Sequence, residues 1–484
     1  MNDQPSIKKN VVYNTAYQIL NVITPLITAP YVSRVLNPEG IGIQSYTQSI
    51  QQYFIMFAAL GTLSYGAREI SMNRNDPYKR SKLFWEIELM TIGTSLVALF
   101  GWIVLLFLVS RYRIYYCVLT IGIFASMFDI SWFFSGIEQF KLTVIRNSFF
   151  KILGIICLFV FIKNENDLLL YIFITTISTF LSSISLWPYL KKYLVKVNPK
   201  EFEFRHHFSE TLIYFIPTIA TSVYTVLDKT LIGLITNSAA QNGYYQQTEK
   251  IINLAKSVVF TAINSVIGVR NALLFAEKKY DEIIKLIHDS FNFIFFAGFA
   301  CCFGIMAVAQ TFVPLFFGGG YEPVIELLYI FSPIIVIVGI SNCLGSQYYT
   351  PCGKRKQSSR FLIIGSVVNL LLNIILIPRF EAYGAAIASV IAEAVITVLY
   401  VKYSEGYGGV SILINTGFKK LLAGLGMFFI VFYMNRIHMN SLILLGLEVV
   451  IGASVYVLLL ILMHDELVLG VLHSMKKNRR DIDG

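Results

Sequence analysis

The sequence predicts an all-α polytopic membrane protein of about 14 transmembrane helices, with two six-helix lobes followed by two C-terminal helices. Three observations carry this. Of 484 residues, 56% are hydrophobic and 14% charged, with a mean hydropathy of +0.64, too apolar to keep a surface wet in water. Apolar stretches of roughly 20 residues recur along the chain, each long enough to cross a hydrocarbon core of about 30 Å. Lysines and arginines gather in the short connections on every second side, as cytoplasmic loops do.

In chain order the spans fall near 11–33, 41–64, 84–109, 114–136, 142–162, 168–190, 211–235, 247–272, 287–313, 324–348, 361–378, 383–403, 419–436 and 441–463. The first six make an N-terminal lobe within 1–190, and the polar stretch 191–210 is a cytoplasmic connector. The next six make a C-terminal lobe over 211–403, and 404–484 holds the last two helices and a basic tail. Most of the 39 lysines and arginines lie on one side if both termini are cytoplasmic, from Lys8 and Lys9 through Arg74–Lys82 and Lys354–Arg360 to Lys476–Arg480. The opening MNDQPSIKKN leads into a segment too long and polar for a cleavable signal, so residue 1 is expected to be retained.

The lobes show a repeat. Asn14, Gln18, Asn21, Pro25 and Thr28 have the same spacing as Tyr214, Thr218, Thr221, Thr225 and Asp228. Helices 4–6 also align without gaps on helices 10–12 at an offset of about 215 residues.

Polar residues cannot face lipid unsatisfied, so polar stripes in spans mark a cavity or an interhelical contact. Helix 1 has such a stripe, with Asn21, and helix 2 has Gln44, Gln48 and Gln51, amides suited to sugar hydroxyls or to interhelical bonds. Charges inside helices cost about 2.5–3.5 kcal/mol each near the centre and need compensation. They are Asp129, Arg146, Lys151, Asp228, Lys229, Glu249, Lys250, Lys256, Arg270, Glu393 and Glu448. Cations outnumber anions in the first twelve helices, which favours an anionic, phosphorylated cargo drawn in by Arg34, Arg146 and Lys256. Lys151, Lys250 and Arg270 read first as snorkelling or locally paired. Asp228, in a striped helix after Pro217, serves ion coupling or pairs with a cation such as Lys229 or Arg34. Pro25, Pro30, Pro217, Pro333 and Gly339 are expected bending points or fixed kinks.

Other classes are excluded or weakened. The net charge of +10 reflects membrane orientation and implies no nucleic acid. The six cysteines have no C-x-x-C spacing and no neighbouring histidines, so neither a metal site nor a disulfide framework is expected. No H-E-x-x-H or G-x-S-x-G occurs, and no loop is long enough for a catalytic domain, which argues against a membrane polymerase or transferase. A cation-coupled drug or metabolite exporter would want an acidic cluster in the first lobe, where Asp129 reads as the only deep acid.

With APYVSRVLNPEGIG at 29–42, GAREIS at 66–71, DKTLIG at 228–233, GYYQQTEKI at 243–251 and VVNLLLNIILIPRFEAYGAAIASVIAE at 367–393, the chain resembles the oligosaccharide flippases of the Wzx type. These lie within the multidrug/oligosaccharidyl-lipid/polysaccharide exporter superfamily. The resemblance covers nearly the whole chain, most specifically around Asn369, Asn373, Pro378 and Gly384. It implies a bilobed bundle around a cationic lumen that flips undecaprenyl-pyrophosphate-linked oligosaccharide repeat units to the outer leaflet of a bacterial inner membrane by alternating access. It implies no cofactor, coupling to an H+ or Na+ gradient, and a polysaccharide polymerase as a possible partner. Arg34, Arg68, Glu69, Asp228, Lys229 and Glu393 match the family's recurrent charged positions. The site expected on all grounds is Arg34, Arg146, Lys256, Lys229, Gln44, Gln48, Asn21 and Asn369 for substrate, with Asp228, Asp129 and Glu393 for coupling or ion pairing. The family's usual glycine after the proline of the helix 11–12 turn is replaced here by Arg379-Phe380-Glu381.

Overall fold

The computed structural model describes the backbone of residues 7–277, 279–437 and 439–473. The side chains of 7–11, 14, 216–225, 261–276 and 280 lie outside the described set. The expectations placed on Asn14, Pro217, Thr218, Thr221, Thr225 and Arg270 therefore fall outside it as well. Among the described residues there is no strand. The helices are α1 (Ile7–Ala59), α2 (Thr62–Met72), α3 (Pro77–Leu108), α4 (Arg113–Met127), α5 (Ser131–Gly136), α6 (Phe140–Phe161), α7 (Leu168–Ile184) and α8 (Phe204–Ile235). They continue with α9 (Ala239–Ala276), α10 (Tyr280–Phe317), α11 (Pro323–Phe331), α12 (Ile334–Leu344), α13 (Arg355–Lys402), α14 (Val410–Met434) and α15 (Ser441–Leu462).

Among the described residues, ten helical segments are long and apolar enough to cross a membrane, and two of them carry two expected spans each. The spans near 11–33 and 41–64 are the legs of α1, separated by a break at Asn37 (φ 56°, ψ 170°) ahead of Pro38. Those near 361–378 and 383–403 are the legs of α13, broken at Glu381 (φ 49°, ψ −127°) after Pro378. A proline withdraws one backbone donor and clashes one turn back, so each break follows from local chemistry. The remaining two expected spans correspond to α8 and α9, parts of which, 216–225 and 261–276, lie outside the described set.

The internal repeat is visible in helix order. α6 begins at Phe140 and α13 at Arg355, an offset of 215, and the break at Glu381 answers the turn Ile162–Asp167 between α6 and α7. The span near 324–348 is divided at Ser332–Pro333 and ends in a π-helical turn, Gly345–Tyr349, where the Thr350 N–H reaches the Gly345 carbonyl at 3.0 Å.

Two compact units emerge, residues 1–243 and 244–484. α8 packs on α1, α2 and α3, so the boundary by contact follows α8 instead of falling in the connector, which forms two short 3₁₀ turns at Trp187–Lys192 and Pro199–Glu201. The six, six and two grouping is thus a grouping by helix order. In the first unit, Trp102, Tyr116, Leu119, Ile123 and Ile172 form one apolar core, and Tyr65, Phe84, Trp132, Phe133 and Phe134 a second. Between α2, α3 and α8 lies a buried polar chain: Tyr65 Oη meets His207 Nδ1 at 2.6 Å, and His207 Nε2 meets Glu86 Oε2 at 3.1 Å. The second unit packs α10 against α12, α14 and α15 around Phe291, Phe295, Tyr348, Tyr349 and Tyr400, with a buried Lys420–Asp465 ion pair of 2.7 Å. Large apolar side chains such as Phe107 and Leu108, each 78% exposed, cover the helices where lipid is the solvent.

Within α13 the two legs cross closely. Asn369 Nδ2 donates to Ser389 Oγ at 3.2 Å, Asn373 Nδ2 donates to Asn369 Oδ1 at 3.0 Å, and a Cβ on Gly384 would lie 2.5 Å from the Leu376 carbonyl oxygen. Glu381 holds a backbone conformation that costs an L-residue about 1–3 kcal/mol. Glu381→Gly should therefore raise stability by about 1 kcal/mol, read as the midpoint of denaturation in detergent, and an unchanged or lower midpoint would contradict this.

At the far end of α13, Lys354 Nζ lies 2.5 Å from Glu405 Oε1, and the Tyr348 hydroxyl donates to Glu405 Oε2 at 2.7 Å. These two donors, Lys354 first, hold the Glu405 carboxyl below the usual carboxylate range. A depressed folded value contributes stability above that range and loses it as pH falls through the depressed value. Hydrogen-exchange protection of residues 403–409 should accordingly drop on acidification below the carboxylate range, and Lys354→Met should flatten that dependence.

Candidate functional site

A cavity of about 470 Å³ lies within the first unit, walled by α1, α6, α7 and the turn between α4 and α5. α6 supplies Arg146, Asn147 and Lys151, α7 supplies Thr175, Ser178, Thr179 and Ser182, and α1 supplies Tyr17, Thr24 and Thr28. Their spacings of three and four residues place them on single helical faces. Gly154 brings α6 close to α7, because a Cβ there would sit 2.9 Å from Ser178 Oγ. Asp129 joins the wall from its turn, where Oδ1 caps the N–H of Ser131 at 2.9 Å.

The cations are held by neutral partners. Arg146 Nη1 donates to the Ser182 carbonyl and to Ser185 Oγ (3.0 Å), and Nη2 donates to Asn147 Oδ1 (2.8 Å). Its Nε–H is buried with no acceptor. Lys151 Nζ donates to Asn21 Oδ1 at 2.5 Å. Among the described residues, neither cation has a carboxylate at ion-pair distance, although Asp129 acts on Arg146 through space. Two cations, one carboxylate and a hydroxyl-rich wall make a receptor for an anion carrying polar substituents.

The expected site residues divide between the units. Arg146 and Asp129 line this cavity, Asn21 touches it through Lys151, and Gln44 lies behind it, bonded to Tyr171 of the lining and to Gln48 (3.0 Å). Gln51 is interhelical glue, donating to the Leu119 carbonyl at 2.6 Å. Arg34 is exposed near the end of the first leg of α1 and does not line the cavity, nor do Asp228, 2% exposed, and Lys229 on α8. In the second unit, half-buried Lys256 interacts electrostatically with Glu393 and Glu249. Asn369 is fully buried between the legs of α13, where it serves the crossing of those legs.

Of its two readings, Lys151 takes local pairing: Asn21 and the cavity give its ammonium a polar surrounding inside the bundle. One expectation changes. Asp129 is not the only deep acid of the first lobe: Glu86 is 2% and Glu88 0% exposed. Both stand where the apolar run of α3 begins, and α8 and the short α5 cover them. Both oxygens of Glu88 lack a hydrogen bond, and Trp132 and Asp129 are its polar neighbours. The hydroxyl stripe of α7 carried its own signal, since TTISTFLSS repeats serine and threonine at helical spacing.

A family profile described as polysaccharide biosynthesis protein matches residues 7–269. An Escherichia coli (strain K12) protein named as a candidate O-antigen transporter is 24% identical over 412 residues, covering 82% of this chain and 96% of its own length. Among solved structures, the lipid II flippase MurJ in an inward closed conformation superposes with a TM-score of 0.72 at 16% identity, covering 95% of this chain and 100% of that one. An inward-facing multidrug resistance MATE family transporter of the MOP superfamily gives 0.62 at 12% identity, covering 87% and 98%. At these identities the superpositions establish the polytopic α-helical fold.

Arg146 ties α6 to α7 through three acceptors, whereas Lys151 has Asn21 alone. Arg146→Ala should lower stability by about 2 kcal/mol and Lys151→Met by well under half of that, measured as denaturation midpoints in detergent. Equal losses would contradict the division between a tethered and a loosely held cation.

Proposed function

Because the chain belongs to the family of polysaccharide biosynthesis proteins, we propose that it is a flippase, not an enzyme, which moves a lipid-linked oligosaccharide from the cytoplasmic to the outer leaflet of a bacterial inner membrane. The observation that carries this reading is the cavity wall on which Arg146 and Lys151 lie without a carboxylate partner beside a face of hydroxyls. Half-buried cations with no carboxylate at ion-pair distance favour an anionic ligand, and a phosphate presents enough acceptor oxygens to serve a guanidinium and an ammonium together. The cargo is an undecaprenyl-pyrophosphate-linked repeat unit whose tail stays among the lipid-facing side chains. The name of the Escherichia coli relative and the shared fold with a lipid II flippase support the same direction.

Transport proceeds by alternating access, with both termini cytoplasmic, and a polysaccharide polymerase is the natural recipient of the cargo. The turn at Leu60–Gly61, the division at Ser332–Pro333 and the π-helical turn are places where helices can bend. An H+ or Na+ gradient drives the cycle, with Asp129, Asp228 and Glu393 as acids available for coupling. One observation favours a second reading: Glu88 supplies the additional deep acid that a cation-coupled exporter would use.

Reconstitution separates the two. In proteoliposomes holding an undecaprenyl-pyrophosphate oligosaccharide, the glycan should become accessible on the opposite leaflet faster than in empty liposomes. Arg146→Gln combined with Lys151→Gln should slow it about tenfold or more, since each removes a charge-assisted bond. Transfer no faster than in empty liposomes, with ion-driven efflux of an organic solute that Glu88→Gln abolishes, would establish the exporter instead.

A further inference from the structure

The hydroxyls of the cavity point to the kind of sugar that it accepts. Thr24 donates to the Leu20 carbonyl at 2.7 Å and Thr28 to the Thr24 carbonyl at 2.9 Å. On α7, Thr175 donates to the carbonyls of Tyr171 and Ile172 (3.0 and 2.9 Å), Ser178 to that of Ile174 (2.7 Å) and Thr179 to that of Thr175 (3.0 Å). A carbonyl only accepts, so in each bond the hydroxyl hydrogen is committed to the helix. Ser182 donates to Asn147 Oδ1 at 2.9 Å. That direction is fixed as well, because the same oxygen accepts from Arg146 Nη2, which can only donate.

Six hydroxyls therefore face the cavity as lone pairs. Donors come from Arg146 and Lys151, whose ammonium has three hydrogens and whose one bond here goes to Asn21. The six committed hydroxyls put acceptors along α1 and α7 and the two cations put donors opposite them, while Tyr17, Ser131, Ser183 and the Asn147 amide add polar groups whose hydrogens stay free to donate. The pairing that leaves no buried polar atom unsatisfied is an anionic group at the cations and a donor-bearing group along the hydroxyls.

Resting on the flippase reading above, we propose that this cavity selects carrier lipids whose phosphate-proximal sugar bears free hydroxyl groups as hydrogen-bond donors. It discriminates against sugars whose donors are masked by acylation. Arg146 and Lys151 hold the phosphate, and the hydroxyls of α1 and α7 accept from the sugar. Masking turns each donor into one more acceptor and sets lone pair against lone pair, which costs more than a missing bond.

The test uses the full chain in nanodiscs and three probes: undecaprenyl pyrophosphate, undecaprenyl-pyrophosphoryl N-acetylhexosamine and its per-O-acetylated form, with affinities read by native mass spectrometry. The free sugar should bind about tenfold tighter than both the bare and the acetylated carrier, the yield of a few neutral hydrogen bonds. Ser178→Ala with Thr179→Val should bring the ratio between free and acetylated sugar toward one. Equal binding of the free and acetylated sugars by the wild-type protein would overturn the proposal, and that arm needs no variant. Failure of the flippase reading looks different: the wild-type protein would bind none of the three probes, or would bind them equally well after Arg146→Gln, and the proposal would fall with it.

Discussion

In hydrocarbon no solvent satisfies a peptide N–H or C=O, and this constraint organises the whole molecule. The described residues accordingly form helices joined by short turns, and the interruptions stand where local chemistry defines them. Asn37 precedes Pro38, Leu60 and Gly61 separate α1 from α2 with positive φ, Ser332–Pro333 divides α11 from α12, and Glu381 follows Pro378. At the crossing of the α13 legs, Asn369 and Ser389 supply polar bonds that water cannot. The same constraint explains why so many threonines and serines bond to carbonyls of their own helix.

Charge is handled by three devices. Lys420 and Asp465 meet directly at 2.7 Å and brace the end of α15 against α14. Glu86 faces Lys82 at 3.7 Å and is hydrogen-bonded along a chain through His207 to Tyr65, with the Glu203 N–H as a further donor at 2.7 Å. Arg146 and Lys151 are held by amides, a hydroxyl and a carbonyl. The first two devices cancel charge and serve structure. The third solvates the cations without cancelling them, which is what a binding site requires.

Much of this was legible in the residues. Hydropathy located the spans, because length and apolarity are what the bilayer demands. Arg146 and Asp129 stood out because a charge in an apolar run needs a reason. What escaped depends on packing. Gln44 and Gln51 share one stripe, yet Gln44 lies behind the cavity and Gln51 bonds to the Leu119 carbonyl, a distinction set by where α4 and α7 lie. For Lys151 the sequence leaves snorkelling and local pairing both open, because it does not show Asn21 beside the ammonium. Glu86 and Glu88 were passed over at the edge of a span, since burial by α5 and α8 is a long-range event. Asn369 was taken for a lumen residue, and only the hairpin geometry of α13 shows its partner twenty positions later.

The self-bonded hydroxyls of α1 and α7 also bear on how firmly a passenger is held. Hydroxyls whose hydrogens are already spent leave no dangling donor to be stranded when the cavity empties, and a guest that departs from them leaves behind only lone pairs, which water covers easily. On the proposed reading of the cavity, the depth of the well is therefore set at the two cations, and the hydroxyl-bearing surface adds selectivity with little adhesion. A conveyor gains by this arrangement, because tenacious grip on every hydroxyl would make unloading the slow step of each turnover.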